Sequence, residues 1–300
     1  MRSEEQPKKH PCPDCSFCQW CGDDRCRLCR GTCATPRRKL SQAEQIALYD
    51  AINDVGTNMH ADETLDELRG YGLRIAQPIH GYRFSLDPLL LCDFGLPRPG
   101  ERVLDLGTGS GIIPLMLARR VADLELVGVE HQQAMAELAR RNVAMNGLAE
   151  RITIFHEDVT ALTGHFPASS FDSVLANPPF RKQGTGRLSP KAGRDLARHE
   201  SSAGLAEFLA AAKYLVKPGG RICFVHLPAR LGEFLATAAT LKLAPLRLRL
   251  VHGAATADAR MFLIELAKGR RGELQVLPPL ITRGNGGDYS AEISRMLTGV

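Results

Sequence analysis

The sequence predicts a doubly wound α/β sheet, and two observations carry that expectation. Short apolar runs alternate with amphipathic helical stretches from about residue 64 onward. At an early strand-to-helix turn stands the run Asp105-Leu106-Gly107-Thr108-Gly109-Ser110-Gly111, at the place where such sheets bind nucleotides.

The elements follow in order. VLDLG (103–107) reads as a strand, IPLMLARR (113–120) as a helix and LELVGVE (124–130) as a strand. QQAMAELARRNVAMNG (132–147) is a helix closed by Asn146-Gly147, and RITIFHED (151–158) is a strand. FDSVLANPPF (171–180) is a strand running into a loop. GLAEFLAAAKYLVKPGG (204–220) reads as a helix with a glycine stop, before the strand RICFVHL (221–227). LGEFLATAATLK (231–242) is a helix, and the strands LRLRLVHG (246–253) and ARMFLIELA (259–267) follow. No helix separates these last two, so one of them is expected to run antiparallel. From Gly269 the chain is rich in Gly and Pro, with one strand-like run, LQVLPPLI.

Composition sets the outer bounds. At 300 residues, 44% hydrophobic and 24% charged, the chain is globular. Nowhere do 18 apolar residues run together, so no membrane span is expected. The opening MRSEEQPKKH has no apolar h-region, which excludes a secretory signal there and points to the cytoplasm. Charge is concentrated: residues 1–40 hold nine Lys/Arg against five Asp/Glu, and residues 181–200 hold six against two. Two basic segments on a slightly acidic body suit a polyanionic partner.

Cysteine is concentrated too. Seven of nine fall between Cys12 and Cys33, while Cys92 and Cys223 sit in apolar runs as core residues. Residues 1–36 have too little aliphatic material for a core of their own. Without a secretory signal, their cysteines argue for metal rather than disulfides. The C-x2-C knuckles Cys12/Cys15 or Cys18/Cys21, with Cys26/Cys29, fit zinc. An iron–sulfur cluster is the weaker alternative, because the ferredoxin spacing is missed. The chain therefore divides into a metal-stapled arm (1–36), a helix and linker (37–63, with Ser41 and Glu44 forming a capping-box pattern) and a large domain (64–300).

The chemistry begins at the glycine loop. Its spacing is G-x-G-x-G after an acid, and glycine lets backbone approach a ligand closely. Glu130 ends the next strand, where a carboxylate accepts from both hydroxyls of a ribose; Asp158 closes the third strand. The loop resembles the first motif, D-x-G-x-G-x-G, of the class I S-adenosylmethionine-dependent methyltransferases, whose fold is a Rossmann-like sheet. That resemblance implies that Asp105 and Gly107, Thr108, Gly109 and Gly111 hold the methionine end, Glu130 the ribose and Asp158 the adenine.

Asn177-Pro178-Pro179-Phe180 bears on the substrate atom. The lone pair of an exocyclic amine is delocalised into its ring. The Asn177 side-chain carbonyl and the Pro178 backbone carbonyl can accept its two N–H bonds, which frees that lone pair for in-line attack. The prolines fix φ so that both acceptors point one way, and Phe180 offers a stacking face to an extruded base. Gln77-Pro78, Gly81 to Leu91, Gly184-x-Gly186-Arg187, Ala197-Arg198-His199-Glu200 and Lys217-Pro218-Gly219-Gly220 extend the pattern. Together these motifs resemble the bacterial adenine-N6 methyltransferases that modify position 37 of valine tRNA, over roughly residues 64–290. The resemblance implies tRNA as partner. Phe180 stands where tyrosine is common, and the cysteine-rich arm lies outside the pattern. The residues alone also admit an amine in rRNA or DNA, a protein glutamine, or a non-catalytic zinc-containing RNA-binding protein. The basic segments argue against the glutamine; intact Asp105, Glu130 and Asn177 argue against the loss of catalysis.

Overall fold

The computed structural model describes residues 41, 60, 62–80, 83, 85–178, 203–270, 272–284 and 286–299. Contacts divide the chain into two units, Met1–Asn53 and Asp54–Val300, and every element below belongs to the second. All the metal-ligand candidates (Cys12, Cys15, Cys18, Cys21, Cys26 and Cys29), Phe180, His199 and both basic segments lie outside the described residues. So does the helix expected over 41–53, Ser41 apart.

A hairpin comes first, β1 (Glu63–Leu68) pairing antiparallel with β2 (Leu73–Pro78). The alternating units then follow: α1 (Asp87–Phe94), β3 (Arg102–Leu106), α2 (Ile112–Arg120), β4 (Glu125–Glu130), α3 (Gln133–Met145) and β5 (Ile152–His156). Beyond them lie β6 (Phe171–Ala176), α4 (Leu205–Leu215), β7 (Val216–His226), α5 (Leu231–Thr240), β8 (Leu243–His252) and β9 (Ala259–Lys268). Two-residue strands β10 (Gln275–Val276) and β11 (Leu280–Ile281) and helix α6 (Ala291–Leu297) close the chain. The large sheet has the order β10-β8-β9-β7-β6-β3-β4-β5, with β11 also on β8. β9 is antiparallel to both of its neighbours, and the other pairings in this sheet are parallel. The expected antiparallel strand is therefore 259–268.

Period-two alternation sorts the strands onto two faces. Val103, Leu126, Ile152, Ile154, Leu175, Cys223 and Leu263 pack with residues of α1, α2, α3 and α6. Leu104, Val127, Val174, Ile222, Phe224, Phe262 and Ile264 pack with residues of α4 and α5. The sheet is covered on both sides, as the near-continuous apolar strands require. Cys92 and Cys223 are buried in the first layer, as expected, and burial pushes both thiols up, Cys223 to about 12.

The helix expected over 204–220 is shorter. Helix α4 opens where the Glu207 carboxylate accepts from Gly204 N at 2.9 Å, and it stops at Leu215. Pro218 has no N–H and bars the residue before it from helical geometry, so the chain leaves the helix at Val216 and joins β6. Phe171 pairs with Val216 and Ser173 with Arg221, so Lys217–Gly220 bulges between the two pairs. Gly220 has to be glycine, because a Cβ there would lie 2.6 Å from the Asp172 carbonyl.

The β1–β2 hairpin, of which the expected linker includes only Glu63 and whose strands the sequence did not mark, is held by α3. Asn146 Oδ1 accepts from Arg74 N at 3.0 Å and its Nδ2 donates to Arg74 O at 2.7 Å. Asn142, one turn earlier, makes the same pair with Ala76 N and O at 2.8 and 3.0 Å. Alternate strand residues and i,i+4 helix residues have similar spacing, so two amides can act as a strand partner.

In the second layer, Phe234 is fully buried between Phe224 and Phe262, edge-on to both at 5.4 and 5.5 Å between ring centroids. Phe234→Ala should destabilise the fold by about 3–5 kcal/mol. Urea denaturation checks this, and a shift below about 1 kcal/mol would show that the layer collapses to fill the space.

Candidate active site at the carboxyl end of the sheet

Three adjacent strands deliver the predicted residues to one edge. Leu106 of β3 is level with Val129 of β4 and with Ala176 of β6. The next residues along, Gly107, Glu130 and Asn177, thus leave the sheet side by side, with neighbouring strands about 4.8 Å apart. Asp158, the last residue of the strand read from sequence, lies two residues beyond the end of β5, which stops at His156. Asn177 is half-buried and Pro178 buried at the end of β6.

The loop between β3 and α2 is built on glycine. Gly107, Gly109 and Gly111 have φ of +76°, +57° and +81°, values that side chains rarely adopt. Val129 O accepts from both Gly107 N and Thr108 N at 2.9 Å, which anchors the loop to β4. A Cβ on Gly111 would approach that of Ala139 at 3.3 Å, so the third glycine also lets α3 pack close.

Carboxylates surround this loop. Glu130, 8% exposed, accepts from Gly109 N at 2.8 Å and from Gln132 N at 2.9 Å. Asp158 Oδ1 accepts from Thr160 N and Oγ1 at 2.8 and 2.7 Å, and its Oδ2 lies 3.4 Å from His131 Nδ1. Asp105 differs: both carboxylate oxygens are buried without a hydrogen-bond partner, as is the neighbouring Thr108 hydroxyl. Burial pushes the Asp105 carboxyl up to about 7, with a smaller push from Glu130, and the nearby Thr108 opposes them. An unmet acceptor of this kind suits a ligand that brings a cationic donor.

Sequence reasoning missed Gly128. A Cβ there would stand 2.9 Å from Thr108 Oγ1 and 2.8 Å from Ile154 Cδ1, so its absence makes the slot that Thr108 fills. A glycine inside the strand VGVE was the available signal. Asn142 was also missed, and nothing in its helical pattern marked it. Arg83 donates to Asp66 Oδ2 and Thr64 Oγ1 of β1, each at 2.6 Å. Asp87 opens α1, where no side-chain cap forms. Among the described residues, no group of three or more His, Cys, Asp or Glu is arranged to hold a metal ion. None of their helices is long and apolar enough to cross a membrane. A cavity of about 520 Å³ is lined by Leu68, Leu86, Asp87, Leu89, Met116 and Met261 among others, and includes neither the glycine loop nor Glu130, Asp158 or Asn177.

The raised Asp105 carboxyl has a consequence for stability. Folded, it holds its proton up to about pH 7; unfolded, it loses it near 3.8. Its contribution is therefore complete below about 3.8 and is lost as pH rises through about 7. Asp105→Asn should gain in melting temperature over wild type as the ligand-free proteins are moved from about pH 5 to about pH 8. Scanning calorimetry measures this, and a difference constant across that range would count against the buried carboxyl as its source.

Comparison with known proteins agrees with this geometry. The family described as Methyltransferase small domain matches residues 88–234. A tRNA1(Val) (adenine(37)-N6)-methyltransferase of Porphyromonas gingivalis is 35% identical over 150 residues, 49% of this chain and 58% of the relative. The chain thus spans a little under six-tenths of that relative's length. One of Aeromonas salmonicida is 31% identical over 213 residues, covering 69% of this chain and 85% of its own. The crystal structure of a predicted O-methyltransferase, protein Atu636 from Agrobacterium tumefaciens, shares the fold at a TM-score of 0.59 and 23% identity, covering 71% of this chain and 96% of its own. With that coverage of the Aeromonas protein, the chain belongs to the tRNA1(Val) (adenine(37)-N6)-methyltransferase family.

Proposed function

We propose that this chain methylates the exocyclic N6 amine of an adenine in tRNA with S-adenosylmethionine, at position 37 of tRNA1(Val) by family likeness. The observation that carries the reading is the register of β3 with β6, which sets the glycine loop beside Asn177. A methyl donor held by the one and an amine held by the other would meet across neighbouring strand ends.

The residues fit the cofactor. Asp105, buried without a partner, suits its ammonium group, Glu130 suits the ribose hydroxyls and Asp158 the adenine amine. S-adenosylmethionine, when bound, supplies a methyl group on a sulfonium sulfur, poised for displacement. Asn177 and the Pro178 carbonyl accept from the two N–H bonds of the target amine and direct its lone pair at that methyl. Phe180 stacks on the extruded base. After transfer the nitrogen is acidic and loses its proton to water, so this chain needs no strong base.

The segments 1–40 and 181–200 supply the positive charge that tRNA requires, each in excess by four. In this reading residues 1–36 form a zinc-held arm, 37–63 link it, 64–300 form the catalytic domain, and the protein works in the cytoplasm. The paired C-x2-C spacing supports zinc over iron.

Asn177→Ala should lower the turnover rate by about 10²–10³, as loss of one preorganised contact at a reacting centre does, with near-normal S-adenosylmethionine binding. Mass analysis of nucleosides from digested tRNA should find N6-methyladenosine with wild type. Normal turnover by the variant would refute the role of Asn177, and methylation of a protein glutamine alone would overturn the substrate. Elemental analysis of the purified full chain should find zinc, and removal of residues 1–36 should abolish it and weaken tRNA binding. A full chain with neither zinc nor iron would end the metal-arm reading.

A further inference from the structure

Asn142 has no exposed surface and joins three segments distant in sequence. Besides its two bonds to Ala76 of β2, its Nδ2 donates to Ser110 O, inside the glycine loop, at 2.9 Å. Asn146 makes the equivalent two bonds to Arg74, but its third goes to Asn142 O of its own helix. The two asparagines therefore do the same for the hairpin, and Asn142 alone of the pair reaches the loop.

The atom it reaches matters. Ser110 O and Gly111 N belong to one peptide unit, and Gly111 N donates to Thr108 O at 3.0 Å. Asn142 holds the carbonyl end of that unit while Thr108 holds the amide end. Without such ties, three glycines at positive φ leave a loop with wide conformational freedom, whose ordering would weaken binding. Among the described residues, the other side chain bonded to the loop backbone is Glu130, through Gly109 N. Glu130 is the group assigned to the ribose, so its oxygens are shared once a cofactor binds. Asn142, buried behind the loop, keeps its bonds throughout.

We infer that Asn142 is a positioning residue for the cofactor: it presets the Ser110–Gly111 peptide unit, and so the loop, in binding-ready geometry. This rests on the S-adenosylmethionine reading above. Asn146 is the built-in control, with the same two bonds to the hairpin, though more exposed ones, and no bond to the loop.

The experiment compares wild type, Asn142→Ala and Asn146→Ala by calorimetric binding of S-adenosylmethionine and by melting temperature. Both variants should melt lower than wild type. Loss of the bond to Ser110 O should raise the dissociation constant of Asn142→Ala about tenfold, whereas Asn146→Ala should stay within about twofold of wild type. In turnover, Asn142→Ala should raise KM for S-adenosylmethionine with little change in kcat. If Asn142→Ala does not fold, amide exchange in ligand-free wild type decides: the Asn142 side-chain NH2, bonded to Ser110 O and Ala76 O, should be protected before any cofactor is added. Unchanged affinity in Asn142→Ala, equal weakening in both variants, or a freely exchanging Asn142 side-chain NH2 would each overturn the inference. Failure of wild type to bind S-adenosylmethionine would instead overturn the cofactor reading on which it stands.

Discussion

The register of β3 against its two neighbours is the constraint on which the site depends. Leu106 lies level with Val129 on one side and with Ala176 on the other. A slip of one residue would turn Leu104 and Leu106 out of the α4–α5 layer and bring Val103 and Asp105 into it. Both faces of this sheet are buried, so such a slip is costly in both layers at once. The same packing that fixes the core thus fixes the level at which Gly107, Glu130 and Asn177 emerge. Precision at the site comes from the sheet, and the loops inherit it.

The site also works against the fold locally. Asp105 sits on the α1–α2–α3 face, beneath the loop, with neither oxygen partnered and its carboxyl pushed up to about 7. A buried carboxyl left in this state disfavours ionisation and lowers stability as pH rises. Its strand neighbours Leu104 and Leu106 are fully buried on the opposite face. An acceptor held unsatisfied by a rigid surround is a means of binding a donor strongly.

Most of this architecture was legible in the sequence. Buried parallel strands are near-continuous apolar runs, and VLDL, LVGV and FDSVLA announce themselves by that property. The glycine loop and the acids at strand ends were legible for the same local reason. Two things were hidden. The hairpin strand Glu63–Leu68 is ETLDEL, acidic and without a β-branched core, and it becomes a strand because β2 pairs with it. Pairing is not a local property, and neither is the amide support that Asn142 and Asn146 give to β2. The overlong α4 had a different origin. The glycines at 219–220 read as its stop, but Pro218 and the partner strand β6 end it earlier, and the pairing with β6 was not visible in the sequence.

Charge separates the two ligands that the proposed reaction must bring together. The described edge carries Glu130, Glu157 and Asp158 above the buried Asp105, a set that suits a cationic cofactor and repels phosphate. The positive charge lies elsewhere in the sequence: excesses of four in 1–40 and of four in 181–200, against a total of +5. Outside those two segments the chain is net negative by three, the difference between five and eight. In the proposed reaction the acidic edge at the loop favours phosphates staying outside while an extruded base enters. Segment 181–200 follows Asn177-Pro178-Pro179-Phe180 directly in the chain. The residues that would hold the target amine are thus joined to those that would hold its backbone, and the acids that would hold the cofactor come from other strands.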